Sequence, residues 1–230
     1  MVKPASDLII FDMDGVLVDV RDSYRSAILV TVEHFTGKQI TKDLVQDYKN
    51  QGGWNNDWLL SQKIAADLGT QLEYDVVVDY FQKVFFGSTP EEGLMWRERW
   101  IANEGVLEKL NRKFRFSIFT GRTKEEAQMT LDRFVPNMKF LPLIGADEVK
   151  NGKPAPDGLE LIQRQIPDVE YFYIGDTIDD ARSASAAGVP FIGISHPGGL
   201  QSETTTKLLW DEGAVAVLDD INQLEDFLCP

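Results

Sequence analysis

Leu8-Ile9-Ile10-Phe11-Asp12-Met13-Asp14-Gly15 joins an unbroken apolar run to two carboxylates and a glycine. A strand with no polar residue on either face is buried on both, as the strands of a parallel sheet covered by helices are. Working outward, similar runs recur at 114–119, 140–144, 171–174, 190–194 and 214–218. Helical segments at 124–134, 157–165, 178–187, 202–210 and 221–228 fall between most of them. Alternation of this kind predicts an α/β fold, a doubly wound parallel-sheet core of Rossmann-like type.

Between the first run and the second the alternation disappears. The segments 22–35, 41–48, 57–68, 74–86 and 97–110 all have helical patterning, with no repeat or low-complexity linker around them. The expected organisation is therefore a core built from 1–15 and 105–230, with an all-helical domain at 16–104 inserted after the first strand. An insertion at that point lies beyond the strand's carboxyl end, where open α/β sheets bind ligands, and is suited to act as a lid.

The chain has 230 residues, 37 of them acidic against 23 basic, for a formal charge of −14. Such a surface repels nucleic-acid backbones and anionic membranes, so neither is expected as a partner. An anionic substrate would need the field reversed locally by a cation, a lysine or backbone amides. The single cysteine, Cys229, can form no internal disulfide, and the apolar run before Asp12 is too short for a signal peptide or a membrane span. A soluble, cytoplasmic protein is the expectation, as monomer or homodimer.

Chemistry-bearing residues gather just after the core strands. In Asp12-Met13-Asp14-Gly15-Val16 a strand-end carboxylate can act as nucleophile, and one two residues on as general acid and base. Thr120-Gly121-Arg122 offers a hydroxyl and an exposed amide to phosphate oxygens just before a helix. Lys153 is held on a turn between Gly152 and Pro154, where its ammonium can neutralise developing charge. In Gly175-Asp176-Thr177-Ile178-Asp179-Asp180 one acid ends a strand and another opens the next helix, a spacing from which oxygen ligands converge on a hard cation. Taken singly, each of these has an ordinary structural explanation, a turn or a helix start offset by acids. Their joint occurrence in this order is hard to assemble by accident.

In order and interval the four patches resemble the haloacid dehalogenase superfamily, in its branch with a helical cap inserted after the first motif. The resemblance spans nearly the whole chain. It implies that Asp12 is the nucleophile, Asp14 the acid and base, and Thr120 and Lys153 the phosphate-binding pair. It implies magnesium held by Asp12, the backbone carbonyl of Asp14, Asp176 and Asp180, with Asp179 the weaker candidate. The implied reaction is hydrolysis of a small-molecule phosphate ester through an aspartyl-phosphate. An aspartate at position 14 favours ester chemistry over dehalogenation, because an oxygen leaving group needs a proton. A sugar phosphomutase shares all four motifs, and a phosphoacceptor regulatory protein shares the aspartates, threonine and lysine. The chain departs from many relatives at Gly121-Arg122, where asparagine often follows the hydroxyl residue. Arg122 is read either as a ligand for a second anionic group of the substrate or as a partner of Glu125 or Glu126. Within the insertion, 49–58 carries two glycines, amides and tryptophans, so Trp54 and Asn55 are expected to touch substrate, while Asn56 or Asp57 caps the next helix. His34 and His196 have no second histidine or cysteine partner for a transition-metal site, and both are read as structural or loop residues.

Overall fold

The computed structural model describes residues 7–89 and 92–229. It divides into two compact units, Met1–Leu17 with Trp100–Pro230, and Val18–Arg99. In chain order the elements are β1 (Leu8–Phe11), β2 (Val18–Asp19), α1 (Tyr24–Thr36), α2 (Lys42–Gln51), α3 (Asp57–Asp67), α4 (Tyr74–Phe86) and β3 (Arg99–Trp100). They continue with α5 (Val106–Leu110), β4 (Arg115–Phe119), α6 (Lys124–Phe134), β5 (Leu143–Ile144), α7 (Asp157–Gln165), β6 (Tyr171–Gly175), α8 (Ile178–Ala187), β7 (Phe191–Ile194), α9 (Ser202–Asp211), β8 (Ala216–Leu218) and α10 (Leu224–Leu228).

The first unit is a six-stranded sheet in the order β5-β4-β1-β6-β7-β8. Its neighbours pair in parallel. All four residues of β1 are buried, as the apolar run requires. Successive side chains serve opposite faces. Leu8 and Ile10 join Phe119, Leu159, Ile162, Tyr173, Ala181 and Ala184 in one cluster, whereas Phe11 packs edge-on against Phe116 at 5.1 Å and Phe140 at 6.1 Å. Truncating a side chain such as Phe11 to alanine costs about 3–5 kcal/mol in a core of this kind. From β1 the sheet grows first through β4 to β5, then returns to the opposite side of β1 with β6. That reversal makes the carboxyl ends of β4, β1 and β6 the switch point where α/β sheets carry their ligands.

The second unit is helical. Its core is aromatic and aliphatic: Tyr24 of α1 lies 4.2 Å from Phe85 and 6.1 Å from Phe81 of α4, with Ile28, Leu60, Ile64 and Val77 buried beside them. Asn56 caps α3, accepting from the amides of Trp58 and Leu59. Among the described residues, no helix is long and apolar enough to cross a membrane.

Two segments differ from the sequence expectation. The helix expected over 97–110 is instead a 3-10 turn (Leu94–Arg97), the short strand β3 and the one-turn helix α5. Glu98 is buried and Arg99 exposed, an alternation that suits an extended chain. Gly105 then sits at φ +88°, which no continuous right-handed helix passes through. The strand expected over 140–144 is cut to Leu143–Ile144, because Pro142 has no N–H to give the ladder; its carbonyl instead accepts from the amide of Ile118 and the hydroxyl of Ser117.

Candidate active site

Three adjacent strands deliver the site. β1 runs into Asp12, whose amide donates to the carbonyl of Ile174 at 2.8 Å, β4 runs into Thr120, and β6 ends just before Asp176. Parallel strands in register stop together, so residues far apart in sequence meet along one edge. One carboxylate oxygen each from Asp12, Asp176 and Asp180 lies within 4.8 Å of the others. Gly15 makes room for this: at φ +75°, a Cβ there would stand 2.0 Å from Oδ2 of Asp176.

Lys153 is fully enclosed. Its ammonium lies 2.8 Å from Oδ1 of Asp12 and 2.7 Å from Oδ1 of Asp180, above the rings of Phe119 and Tyr173. Burial alone would lower its pKa, yet the charges of Asp12 and Asp180 win and raise it, so the lysine stays cationic. Asp12 is moved the other way. Burial, aided by the charges of Asp180 and Asp14 and opposed by Lys153, pushes its carboxyl up to about 7. Hard oxygens crowded at this spacing, with one carboxyl loaded by its neighbours, suit a divalent cation such as magnesium or calcium.

Asp180 has several donors. Oδ1 accepts from Tyr173 at 2.6 Å and pairs with Lys153; Oδ2 accepts from the hydroxyl of Thr177 at 2.6 Å and its amide at 3.0 Å. Thr177 and Asp180 thereby form a capping box that opens α8. Tyr173 and Thr177 were not singled out from sequence: Tyr173 reads as one apolar position in a strand, although the Thr177/Asp180 spacing is a legible helix start.

Arg122 acts on Glu126 through its charge, and its hydrogen bonds reach residues farther away in sequence. Its Nε donates to Oδ1 of Asp14 at 2.7 Å, Nη2 lies 2.6 Å from the same oxygen, and Nη1 donates to Thr130 on α6 at 2.7 Å. Glu126 also completes the capping box of α6 with Thr123, and burial raises its carboxyl pKa against the pull of Thr123 and Arg122. Thr120 is buried and its hydroxyl accepts from the amide of Arg122 at 3.3 Å, while Gly121 is half-buried. Trp54 and Asn55 belong to the helical unit, where both are half-buried and Trp54 lies edge-on to Tyr48 at 6.0 Å. His34 stacks on Tyr80 at 3.9 Å in that unit.

The profile of the haloacid dehalogenase-like hydrolases matches residues 9–194. The chain belongs to that family. A phosphorylated carbohydrates phosphatase of Thermotoga maritima is 27% identical, the match covering 96% of this chain and all of that protein. An imidazoleglycerol-phosphate dehydratase of Phytophthora nicotianae is 28% identical over 86% of this chain, which spans about half (45%) of that protein's length. Among solved structures, a predicted phosphoglycolate phosphatase from Haemophilus somnus superposes with a TM-score of 0.75 at 18% identity, covering 99% of this chain and 100% of that one. The likeness at that identity is one of fold, and it extends over the six-stranded sheet and its helices. Family membership and the carbohydrate-phosphatase relative support a phosphoric monoester hydrolase.

Proposed function

We propose that this chain is a magnesium-dependent phosphatase that hydrolyses a small-molecule phosphate monoester through an aspartyl-phosphate on Asp12. One observation carries the reading: a buried carboxylate at a strand end, paired with Lys153 at 2.8 Å, shares a cluster of oxygens with Asp176 and Asp180. We assign magnesium to Asp12, the backbone carbonyl of Asp14, Asp176 and Asp180, the last of which also pairs with Lys153. A bound divalent cation supplies the positive charge that keeps Asp12 ionised and draws charge from the phosphoryl oxygens.

The residues then divide the work. A carboxylate oxygen of Asp12 attacks phosphorus, the phosphorus–oxygen bond of the ester breaks, and Asp14 gives its proton to the departing oxygen. In the second step Asp14, now a carboxylate, takes a proton from water as that water attacks phosphorus and the bond to Asp12 breaks. Lys153 and the hydroxyl of Thr120, with the amide of Gly121, hold the phosphoryl oxygens. Residues 16–104 act as the cap that selects the leaving group, Trp54 and Asn55 among its contacts. Cytoplasmic action is part of this reading, since the one cysteine has no intrachain partner.

Phosphate release is screened over sugar phosphates, phosphoglycolate, nucleotides and amino-alcohol phosphates, with magnesium and with chelator. Turnover is expected for at least one ester, dependent on magnesium and lost in Asp12→Asn. Substantial magnesium-dependent release by Asp12→Asn would sink the assignment. Isomerisation of a hexose phosphate without net release would point to a mutase instead.

A further inference from the structure

Resting on the phosphatase reading, we infer that Arg122 is a positioning residue for Asp14 and not a ligand for the substrate. The guanidinium spans two elements of the core. On one side two of its nitrogens converge on Oδ1 of Asp14, at 2.7 and 2.6 Å; on the other Nη1 donates to the hydroxyl of Thr130 in α6, eight residues on in sequence, at 2.7 Å. The Arg122 side chain is 1% exposed, that of Asp14 30%. A guanidinium buried and committed in this way has little surface to offer a second anionic group. The carboxylate it grips keeps a face toward solvent.

The consequence follows from where Asp14 sits. Gly15 comes next at φ +75°, so the chain turns sharply here, and Asp14 lies beyond the end of β1. Proton transfer to a leaving oxygen is efficient only from a group held at hydrogen-bond distance in the right direction. Arg122 takes Oδ1, tying it to α6, and leaves Oδ2 for proton transfer. Lysine is a poor substitute: its single nitrogen cannot stand where Nε, Nη1 and Nη2 each stand, so the planar fork's contacts to Asp14 and Thr130 are not reproduced together.

The inference separates kinetically from both a binding and a merely structural role. The quantity kcat/KM covers steps up to departure of the leaving group, so it reports the first proton transfer and not the later attack of water. An alkyl leaving group needs that proton, whereas p-nitrophenolate departs largely without it. Wild type, Arg122→Lys and Thr130→Val are compared, each checked for folding by circular dichroism. Three substrates are used: glycerol 2-phosphate, p-nitrophenyl phosphate and phosphoglycolate, the last carrying a second anionic group. For Arg122→Lys, kcat/KM on both alkyl esters is expected to fall about 100-fold, and on p-nitrophenyl phosphate no more than about 5-fold. Thr130→Val, which keeps the charge on Asp14 and loosens only the outer anchor, is expected to fall in the same pattern by about 5-fold on the alkyl esters. Equal losses on all three substrates in either folded variant would overturn the inference in favour of a structural role. A loss confined to phosphoglycolate would overturn it in favour of substrate binding. Failure of the wild type on these three and on every ester of the wider screen would instead remove the phosphatase reading, and this inference with it.

Discussion

Replacing Asp12 by asparagine should make the metal-free protein more stable, although the same change removes the proposed nucleophile. Burial pushes the Asp12 carboxyl from its ordinary 3.8 to about 7, the charges of Asp180 and Asp14 adding to the rise and Lys153 opposing it. Between those two values the folded chain keeps a proton that the unfolded chain has released, so stability falls as pH rises through the window. A gap of roughly three pH units, at about 1.4 kcal/mol each, makes ionised Asp12 cost the fold roughly 4 kcal/mol at pH 8. Asparagine carries no charge at any pH and escapes that cost. For a chain of this length, about 2–4 °C per kcal/mol places the gain in melting temperature near 10 °C. The assay is thermal unfolding in chelator from pH 4 to pH 8, where the two proteins should converge at the acid end and separate as pH rises. Magnesium should narrow the gap: at a hundredfold excess over Kd a ligand of the folded state contributes about 2.7 kcal/mol, and the variant has lost one carboxylate with which to bind it. An Asp12→Asn protein melting at or below the wild type at pH 8 in chelator would refute the claim that burial and like charge load this carboxyl.

Two further substitutions probe the surroundings of that carboxylate. Gly15→Ala places a methyl where Asp176 Oδ2 now lies 2.0 Å away, at a φ of +75°, so either the turn or Asp176 must move. Stability should drop by roughly 1–2 kcal/mol from the left-handed backbone alone, and the thermal shift produced by magnesium should shrink sharply; an unchanged magnesium affinity by calorimetry would contradict this. Tyr173→Phe removes the hydroxyl that donates to Asp180 at 2.6 Å, at an expected cost of about 1.5–3 kcal/mol for a hydrogen bond to a charged group. Burial works to raise the Asp180 carboxyl, but Lys153, Thr177 and Tyr173 hold it below its usual value, so this stabilisation is present at neutral pH and lost as pH falls. Denaturant unfolding at pH 7 and again near pH 3 should therefore show the larger deficit at pH 7, and equal deficits would contradict the pairing.

How far the sequence carries depends on whether the interaction at stake is local. The run Leu8 to Phe11 announces a doubly buried parallel strand because burial on both faces leaves no room for a polar residue. The acids after it announce a site because such strands end together. A helix over 97–110 was a reasonable expectation from spacing alone, yet Gly105 and the pairing of Arg99–Trp100 are decided by conformation that spacing does not encode. Arg122 makes the same point at the site. Its nearest acids in sequence, Glu125 and Glu126, are the obvious partners, but Glu126 is engaged by the amide and hydroxyl of Thr123 in a capping box. The guanidinium, whose charge also acts on Glu126, reaches Asp14 at the end of the neighbouring strand, 108 residues away. Spacing in the sequence offers Glu125 and Glu126 but gives no sign of Asp14, because that contact depends on β1 and β4 lying side by side.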